Sequence, residues 1–261
     1  MDDKAFLLGR MNDLANECEK KGYLTHTYFL SEAEQTLIKE ILNGSSTYHG
    51  VAVTFYGGYP DAERKALYFL PFYMDESTFL NEEEENPTIS ALTILPKNET
   101  FGEDDLTHRD YLGALMSLGI GRERIGDIET NGKQANVLLF DENLVMVLDD
   151  LKSVKHTPIK LMKAKPSSLS WKKRYEVRVG SLSSFRLDSL IAEAFDQSRE
   201  RAKGYILGGY VQLNGLEAND PSKTVKEGDT VSLRGKGKIK FIGEKKMSRR
   251  GRLIVEYWIY R

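Results

Sequence analysis

The amino-acid sequence predicts a multidomain α+β protein. Three observations support this: a length of 261 residues, more than one ordinary domain needs; helical and strand patterns that alternate along the middle of the chain; and a division of charge. Residues 171–261 carry 20 Lys and Arg against 11 Asp and Glu, net +9, whereas residues 1–170 carry 17 against 28, net −11. The basic part is therefore expected to lie against a polyanion.

The predicted domain organisation is an N-terminal α/β region (1–80), a βαββαβ domain (81–165), a linker (166–180) and a basic domain (181–261). The linker prediction rests on the Pro, Ser and Lys content of residues 163–173. We expect it to let the basic domain move relative to the rest.

In the N-terminal region, two apolar stripes predict two helices within residues 1–42, and Asn43-Gly44 closes the second. The apolar runs Val51–Tyr56 and Ala66–Phe72, joined by turn residues, predict a hairpin. The run Asn81–Pro87 contains four glutamates and is predicted to be a solvated linker.

The middle of the chain alternates in the order strand, helix, strand, strand, helix, strand, over Ile89–Leu95, Leu106–Leu118, Ile125–Thr130, Ala135–Phe140, Glu142–Leu151 and Pro158–Met162. This order predicts the ferredoxin-like fold, which RNA-recognition motifs also use. The third strand lacks the aromatic-rich pattern that stacks bases. A spacer or a protein-docking platform is therefore favoured, with direct base recognition as the alternative.

Residues 185–215 predict two short amphipathic helices that lead into a strand. Ser198 is a suitable N-cap for the second helix, Gly208-Gly209 ends it, and Asn214-Gly215 favours a type I′ turn. Arg199 and Lys203 share one face of the second helix, and Arg186 lies at the start of the first. Helix N-termini beside cations can bind phosphate.

These residues also form three ordered motifs: Arg186-Leu187-Asp188; Ser198-Arg199-x-x-Ala202-x-x-x-Ile206-x-x-Gly209-x-Val211-x-Leu213-Asn214-Gly215; and Gly228-Asp229-x-Val231-x-Leu233-Arg234-Gly235. Together they resemble the S4 RNA-binding domain. A leucine usual in that domain is Tyr205 here, a conservative apolar change.

Two further groups of residues are candidate RNA contacts. Tyr210 at a helix-to-strand corner can stack on a base, and glycines beside the cations at 234–238 permit close approach to phosphate. Five cations between 245 and 252 form a predicted loop between strands; the alternative is that they only block edge pairing. The complete set of predicted contacts is Arg186, Ser198, Arg199, Lys203, Tyr210, Asn214, Arg234, Lys236, Lys238, Lys245, Lys246, Arg249 and Arg250.

The sequence suggests no catalytic, metal or cofactor site. A single cysteine and four scattered histidines give neither a disulfide nor metal-ligand spacing. His108-Arg109-Asp110 spells a kinase tripeptide but lacks the partner motifs, and Asp188 is interpreted as structural. Since no catalytic motif is complete, a non-enzymatic protein is expected. No apolar stretch approaches the roughly 20 residues that cross a bilayer, so a cytoplasmic protein is expected.

The whole arrangement is similar to the YlmH family of bacterial S4-domain proteins: an acidic N-terminal region, a βαββαβ middle containing the segment His108–Ile128, and a C-terminal S4 domain. The resemblance implies a non-catalytic translation-associated factor that binds the large ribosomal subunit and contacts ribosomal RNA and tRNA in the rescue of stalled complexes. One alternative is a cell-division-associated interaction protein with secondary RNA binding, because family genes commonly sit beside cell-division genes. An RNA-modifying enzyme is less favoured.

Overall fold

The chain divides into two compact units, Met1–Lys172 and Lys173–Arg261. The computed structural model describes residues 3–97, 105–171, 175–248 and 251–260. Within these ranges, no helix combines the length and apolar composition that a membrane crossing requires.

The first unit begins with three helices and a four-stranded antiparallel sheet. The helices are α1 (Asp3–Lys21), α2 (Glu32–Leu42) and α3 (Glu76–Glu85), and the strands are β1 (Thr25–His26), β2 (Thr47–Tyr48), β3 (Val51–Tyr56) and β4 (Ala66–Leu70), in the order β1-β4-β3-β2. The two N-terminal helices and the hairpin are confirmed. Ser31 begins α2 with a reciprocal capping box to Glu34, and Asn43 ends it with a positive φ of 48°.

Helix α3 corrects the prediction that the glutamate run is a solvated linker. Asp75 caps this helix by accepting a hydrogen bond from the Thr78 N–H at 2.7 Å, which lowers the pKa of Asp75 to about 2. Phe79 is fully buried, and the buried Glu83 carboxylate accepts the Thr88 hydroxyl at 2.6 Å. The segment is a helix because Asp75 caps its start and Phe79 is buried, and the acidic composition indicates neither feature.

The middle of the chain forms a five-stranded antiparallel sheet with two helices. Its elements are β5 (Ile89–Pro96), α4 (His108–Met116), β6 (Ile125–Thr130), β7 (Ala135–Phe140), α5 (Asp141–Asp150), β8 (Ser153–Val154) and β9 (Thr157–Ala164), in the sheet order β6-β7-β5-β9-β8. The βαββαβ order is confirmed, and β8 is an added strand. Helices α4 and α5 cover one face, where their buried side chains pack with those of β5 and β7.

The other face of this sheet packs against the N-terminal sheet. A single apolar cluster contains Tyr68 and Leu70 from β4 together with Ala91, Leu138 and Phe140 from β5 and β7. The Phe140 ring stacks on the His26 ring of β1 with 4.8 Å between centroids. The boundary predicted at residue 80 therefore does not separate two independent cores.

The predicted linker, residues 166–180, is largely structured. Trp171 stacks on Tyr59 at 5.0 Å between ring centroids, and its indole N–H donates to the Pro166 carbonyl at 2.8 Å, so this part packs on the first unit. Strand β10 (Tyr175–Leu182) begins the second unit. The apolar ring of Trp171 and the alternation in β10 outweigh the Pro, Ser and Lys content on which the linker prediction rested.

The second unit is a six-stranded antiparallel sheet with two helices. After β10 its elements are α6 (Leu187–Ala194), α7 (Arg199–Leu207), β11 (Val211–Leu213), β12 (Leu216–Glu217), β13 (Thr230–Leu233), β14 (Gly237–Met247) and β15 (Leu253–Tyr260), in the order β10-β15-β14-β13-β11-β12. The predicted helix pair is confirmed. So is the two-residue turn: Asn214 and Gly215 have φ of 53° and 78°, and join the paired strands β11 and β12.

Both helices pack on one face of this sheet. Buried residues of α6 and α7, among them Leu190 and Ile206, form one core with Val231, Val255 and Tyr257 of the strands. Strand β14 extends further than predicted and includes the positions of Lys245 and Lys246, because β14 and β15 pair as far as Met247 and Leu253. The first part of the expected basic loop, as far as Met247, is therefore strand.

Candidate RNA-binding surface

The start of α7 positions two of the predicted cations. The Ser198 hydroxyl accepts a hydrogen bond from the Arg201 N–H at 3.2 Å, which fixes the first turn of the helix. Arg199 is the first helical residue, and Lys203 follows four positions later on the same side; both are exposed. The role of Ser198 in the structure is thus the N-cap.

A buried carboxylate joins the two helices at this surface. Asp188, in the first turn of α6, is 0% exposed and accepts Arg186 Nε at 3.2 Å and Nη2 at 3.0 Å. It also accepts Arg199 Nη2 at 3.2 Å. The two guanidinium groups, which remain 37% and 47% exposed, are therefore held on one shared anchor.

The charge of Asp188 is maintained in this setting. Burial acts to raise its pKa, but the hydrogen bonds from Arg186 and Arg199 outweigh burial, and the pKa lies below its usual value. A guanidinium has several N–H donors in a planar fork, and the contacts to Asp188 use only some of them. The remaining donors suit the bidentate binding of phosphate.

A second group of predicted contacts lies where α7 ends. The Tyr210 side chain is 47% exposed, and its backbone carbonyl accepts the Arg234 N–H at 2.9 Å. This bond brings the turn between β13 and β14, which carries the exposed Arg234 and Lys236, to the helix-to-strand corner. An exposed aromatic residue and two exposed cations on neighbouring segments suit the binding of a base and its phosphates.

The Asn214 side chain forms hydrogen bonds within the second unit, and its contact with RNA stays a prediction. Its amide donates to Asp229 Oδ1 at 2.8 Å and its side-chain oxygen accepts the Thr230 N–H at 2.8 Å. Both ends of the side chain are therefore used to connect the β11–β12 turn to β13. Lys238 is also separated from the helix cations, since it lies over the Tyr260 ring on the sheet face away from the helices.

The predicted basic loop is only partly a cationic surface. Lys245 Nζ pairs with Glu256 at 2.7 Å, and the Arg252 guanidinium donates to the Ser181 hydroxyl and carbonyl at 2.7 and 2.6 Å. Lys246 is exposed. Arg249 and Arg250 lie outside the described residues.

In the middle domain, the sheet face that corresponds to the base-stacking surface of RNA-recognition motifs is covered. Those domains stack bases on the sheet face away from their helices. Here Ala91, Leu138 and Phe140 occupy that face at the central strands, and each is at most 1% exposed because the N-terminal sheet covers them. Base stacking at these positions would require the two sheets to separate.

Sequence reasoning missed the positioning role of Asp188. The Arg-x-Asp spacing at 186–188 was a local signal for one of its partners. The contact with Arg199 depends on how α6 packs against α7, which no local pattern describes.

A basic helix pair carried on a β-sheet defines this chain as an S4-domain protein. Residues 185–231 match the family model of the S4 domain, and residues 92–168 match a model described as the putative RNA-binding domain in YlmH. The chain is 30% identical over 213 residues to the ribosome-associated protein quality control protein P2 of Bacillus subtilis (strain 168), with 81% of this chain and 78% of that protein covered. The chain belongs to the YlmH family.

A solved structure supports the same fold. The cell division protein ylmH from Streptococcus pneumoniae superimposes with a TM-score of 0.51 at 17% identity, covering 64% of this chain and 94% of that chain. The predicted family and fold class are thereby confirmed, and the two matched domain models describe RNA-binding domains.

Proposed function

We propose that this protein is a non-catalytic RNA-binding factor of the large ribosomal subunit. In this proposal the α6–α7 surface of the second unit binds structured RNA, either ribosomal RNA or tRNA, during quality control of stalled translation. The similarity to a ribosome-associated quality control protein supports the setting. The contact geometry of the second unit supports the mode of binding.

The observation that carries the proposal is the pair of arginines held by Asp188. Arg186 and Arg199 reach one buried carboxylate at 3.0–3.2 Å, so their exposed donors are oriented before RNA arrives. Pre-orientation reduces the side-chain entropy lost on binding. The surrounding net charge of +9 over residues 171–261 adds a favourable long-range field for a polyanion.

The first unit has a different proposed role. Its acidic charge disfavours contact with RNA, and the base-stacking face of its middle sheet is covered. We assign it to positioning or to a protein contact on the particle.

The test removes two exposed cations and leaves Asp188 with Arg186. Arg199→Ala with Lys203→Ala is expected to weaken co-sedimentation with large subunits by roughly 10-fold or more. It should also lower the slope of log affinity against log salt by about 2, because each lost phosphate contact removes close to one unit.

The matched control removes two exposed lysines from the first unit, Lys152→Ala with Lys160→Ala. It is expected to change neither quantity appreciably. Unchanged binding by the Arg199/Lys203 variant, or an equal loss in the control, would remove the basis for placing the RNA on α6 and α7.

A further inference from the structure

The sheet of the second unit has a face that the helices do not use. Side chains alternate along each strand, so Val255 and Tyr257 of β15 enter the core with α6 and α7, whereas Trp258 and Tyr260 point to the other side. Cross-strand pairs share a face. Tyr175 pairs with Tyr260, and residues of β10 therefore join the same side.

Aromatic rings and lysines meet on this face. Tyr175 and Trp258 are stacked with 4.1 Å between centroids and an angle of 7° between their planes. Lys240 Nζ lies 5.8 Å from the centre of the Trp258 ring, and Lys238 Nζ lies 5.6 Å from that of Tyr260. We name these five residues the aromatic–lysine face.

The neighbouring strand positions are apolar and open to water. Val177 and Val179 of β10, which pair with Trp258 and Glu256, are 53% and 62% exposed. Glu256 is neutralised by Lys245 at 2.7 Å and accepts the Trp258 indole N–H at 3.2 Å. The carboxylate of Glu256 is thus paired with a lysine.

We propose that the aromatic–lysine face binds a single-stranded RNA segment. Bases extend the Tyr175–Trp258 stack, and the ammonium groups of Lys238 and Lys240 exchange their contacts with the rings for contacts with phosphate. Stacking rings interleaved with cations characterise proteins that bind single strands without sequence preference. The inference rests on the proposed function in taking RNA as the ligand, but it concerns a different face of the unit.

The chemistry favours RNA over a protein partner. An acidic peptide satisfies the lysines but supplies no flat surface for the stacked pair. A duplex satisfies the lysines while its bases remain stacked on one another. A single strand offers phosphates and unstacked rings together.

Trp258 is a direct reporter of this contact. The chain has two tryptophans, so Trp171→Phe in the full-length protein leaves Trp258 as the only one. Titration with a short oligouridylate is expected to quench its fluorescence saturably, because a stacked base quenches indole emission. A blunt RNA duplex is expected to leave it unchanged. Absence of quenching by the single strand overturns the inference.

The same titration separates this face from the α6–α7 surface. Quenching should persist when Arg199→Ala and Lys203→Ala are added. If it disappears, Trp258 is reporting the helix surface and the second site is wrong. Poly-glutamate that quenches Trp258 in place of RNA identifies a protein contact, which also overturns the inference.

A charge-matched pair of variants completes the test. Lys240→Gln should weaken oligouridylate binding several-fold and lower its salt slope by about 0.7. Lys226→Gln, in the turn before β13, should leave the affinity within two-fold of that of the parent and the salt slope unchanged. Equal effects of the two variants would show that the RNA is held by nonspecific charge attraction, which would contradict the proposed site. If structured RNA still binds the protein but oligouridylate does not quench Trp258, this inference alone is removed, whereas loss of all RNA binding removes the proposed function.

Discussion

The two units use their sheets in opposite ways. In the first, α4 and α5 cover one face of the five-stranded sheet and the N-terminal sheet covers the other. In the second, α6 and α7 cover one face, and the other exposes Val177, Val179 and part of Tyr175. The sheet face on which RNA-recognition motifs stack bases is therefore covered in the first unit, whereas the second unit keeps one sheet face open.

Each unit also has a buried carboxylate, and the two carboxylates have different partners and roles. Glu83 of the first unit is buried against Thr88, and burial raises its pKa. Asp188 of the second unit is buried against two arginines, and its pKa is lowered. The first carboxylate connects elements of the fold, whereas the second orients exposed cations.

Each unit also contains one tryptophan, Trp171 in the first and Trp258 in the second, so their unfolding can be followed separately. Variants read through Trp171 use a Trp258→Phe background, and those read through Trp258 use Trp171→Phe.

The largest effect is expected where the two sheets of the first unit meet. Phe140→Ala removes a ring in contact with Phe29 and His26, at 4.5 and 4.8 Å between centroids. We expect a loss of about 3–5 kcal/mol in the free energy of unfolding reported by Trp171 in urea. The control Val145→Ala, at an exposed position of α5, should change it by less than about 0.5 kcal/mol. An unchanged midpoint in the Phe140 variant would mean that the sheets do not share this core.

The next effect concerns the arginine anchor of the second unit. Asp188→Asn leaves Arg186 and Arg199 without their shared carboxylate. Because both guanidinium groups keep access to water, we expect a loss of about 2–3 kcal/mol in the unfolding reported by Trp258, less than for a fully buried pair. RNA affinity should fall as well.

The matched control is Asp196→Asn. Asp196 is exposed and has a φ of 51°, which Asn tolerates, so little change is expected. A stable Asp188→Asn protein with full RNA affinity would argue that the arginines need no anchor.

A smaller effect distinguishes fold from ligand contact at Asn214. Asn214→Ala removes two side-chain hydrogen bonds and puts a residue that tolerates the left-handed region less well than Asn at a φ of 53°. We expect a loss of about 1–2 kcal/mol. The RNA affinity of the folded variant, measured by fluorescence anisotropy, should equal that of the parent. Reduced affinity with unchanged stability would instead show that Asn214 contacts RNA.

The smallest effect is on the pH dependence of the first unit, which holds all four histidines. Burial lowers the pKa of His26. The unfolded chain therefore binds a proton near pH 6.5 that the folded chain does not, and stability falls as the pH drops below that value, by at most about 1.4 kcal/mol per pH unit.

The His26→Asn variant isolates this effect, because the raised pKa of Glu83 acts in the opposite sense. Between pH 7 and 5.5, the difference between parent and variant seen by Trp171 should shrink as the pH falls. The midpoint seen by Trp258 should stay flat, since the lowered pKa of Asp188 keeps this carboxylate charged throughout the range. A constant difference at Trp171 would show that His26 is protonated equally in both states.

The sequence predicted features that depend on short-range chemistry. The Ser198 cap, the Asn214-Gly215 turn and the βαββαβ order follow from local patterns, and each is present. The glutamate run became a helix because Asp75 caps it and Phe79 is buried, and neither is apparent from composition.

The remaining features depend on tertiary packing. The local sequence around Leu138 and Phe140 predicts an ordinary strand. That the N-terminal sheet covers their face is apparent only from the structure. The contact between Asp188 and Arg199 forms because of the way in which α6 packs against α7. The sequence identified most of the cations that we propose as RNA contacts, and their role stays a prediction; their distribution between the two faces of one sheet was not predictable.

Hydrogen–deuterium exchange of the full-length protein, with and without a structured ribosomal RNA fragment, tests most directly whether RNA binds the second unit at its helix pair. We predict slower exchange within residues 186–210 and unchanged exchange in β5 and β7. Protection confined to the first unit, with residues 186–210 unaffected, would contradict this placement.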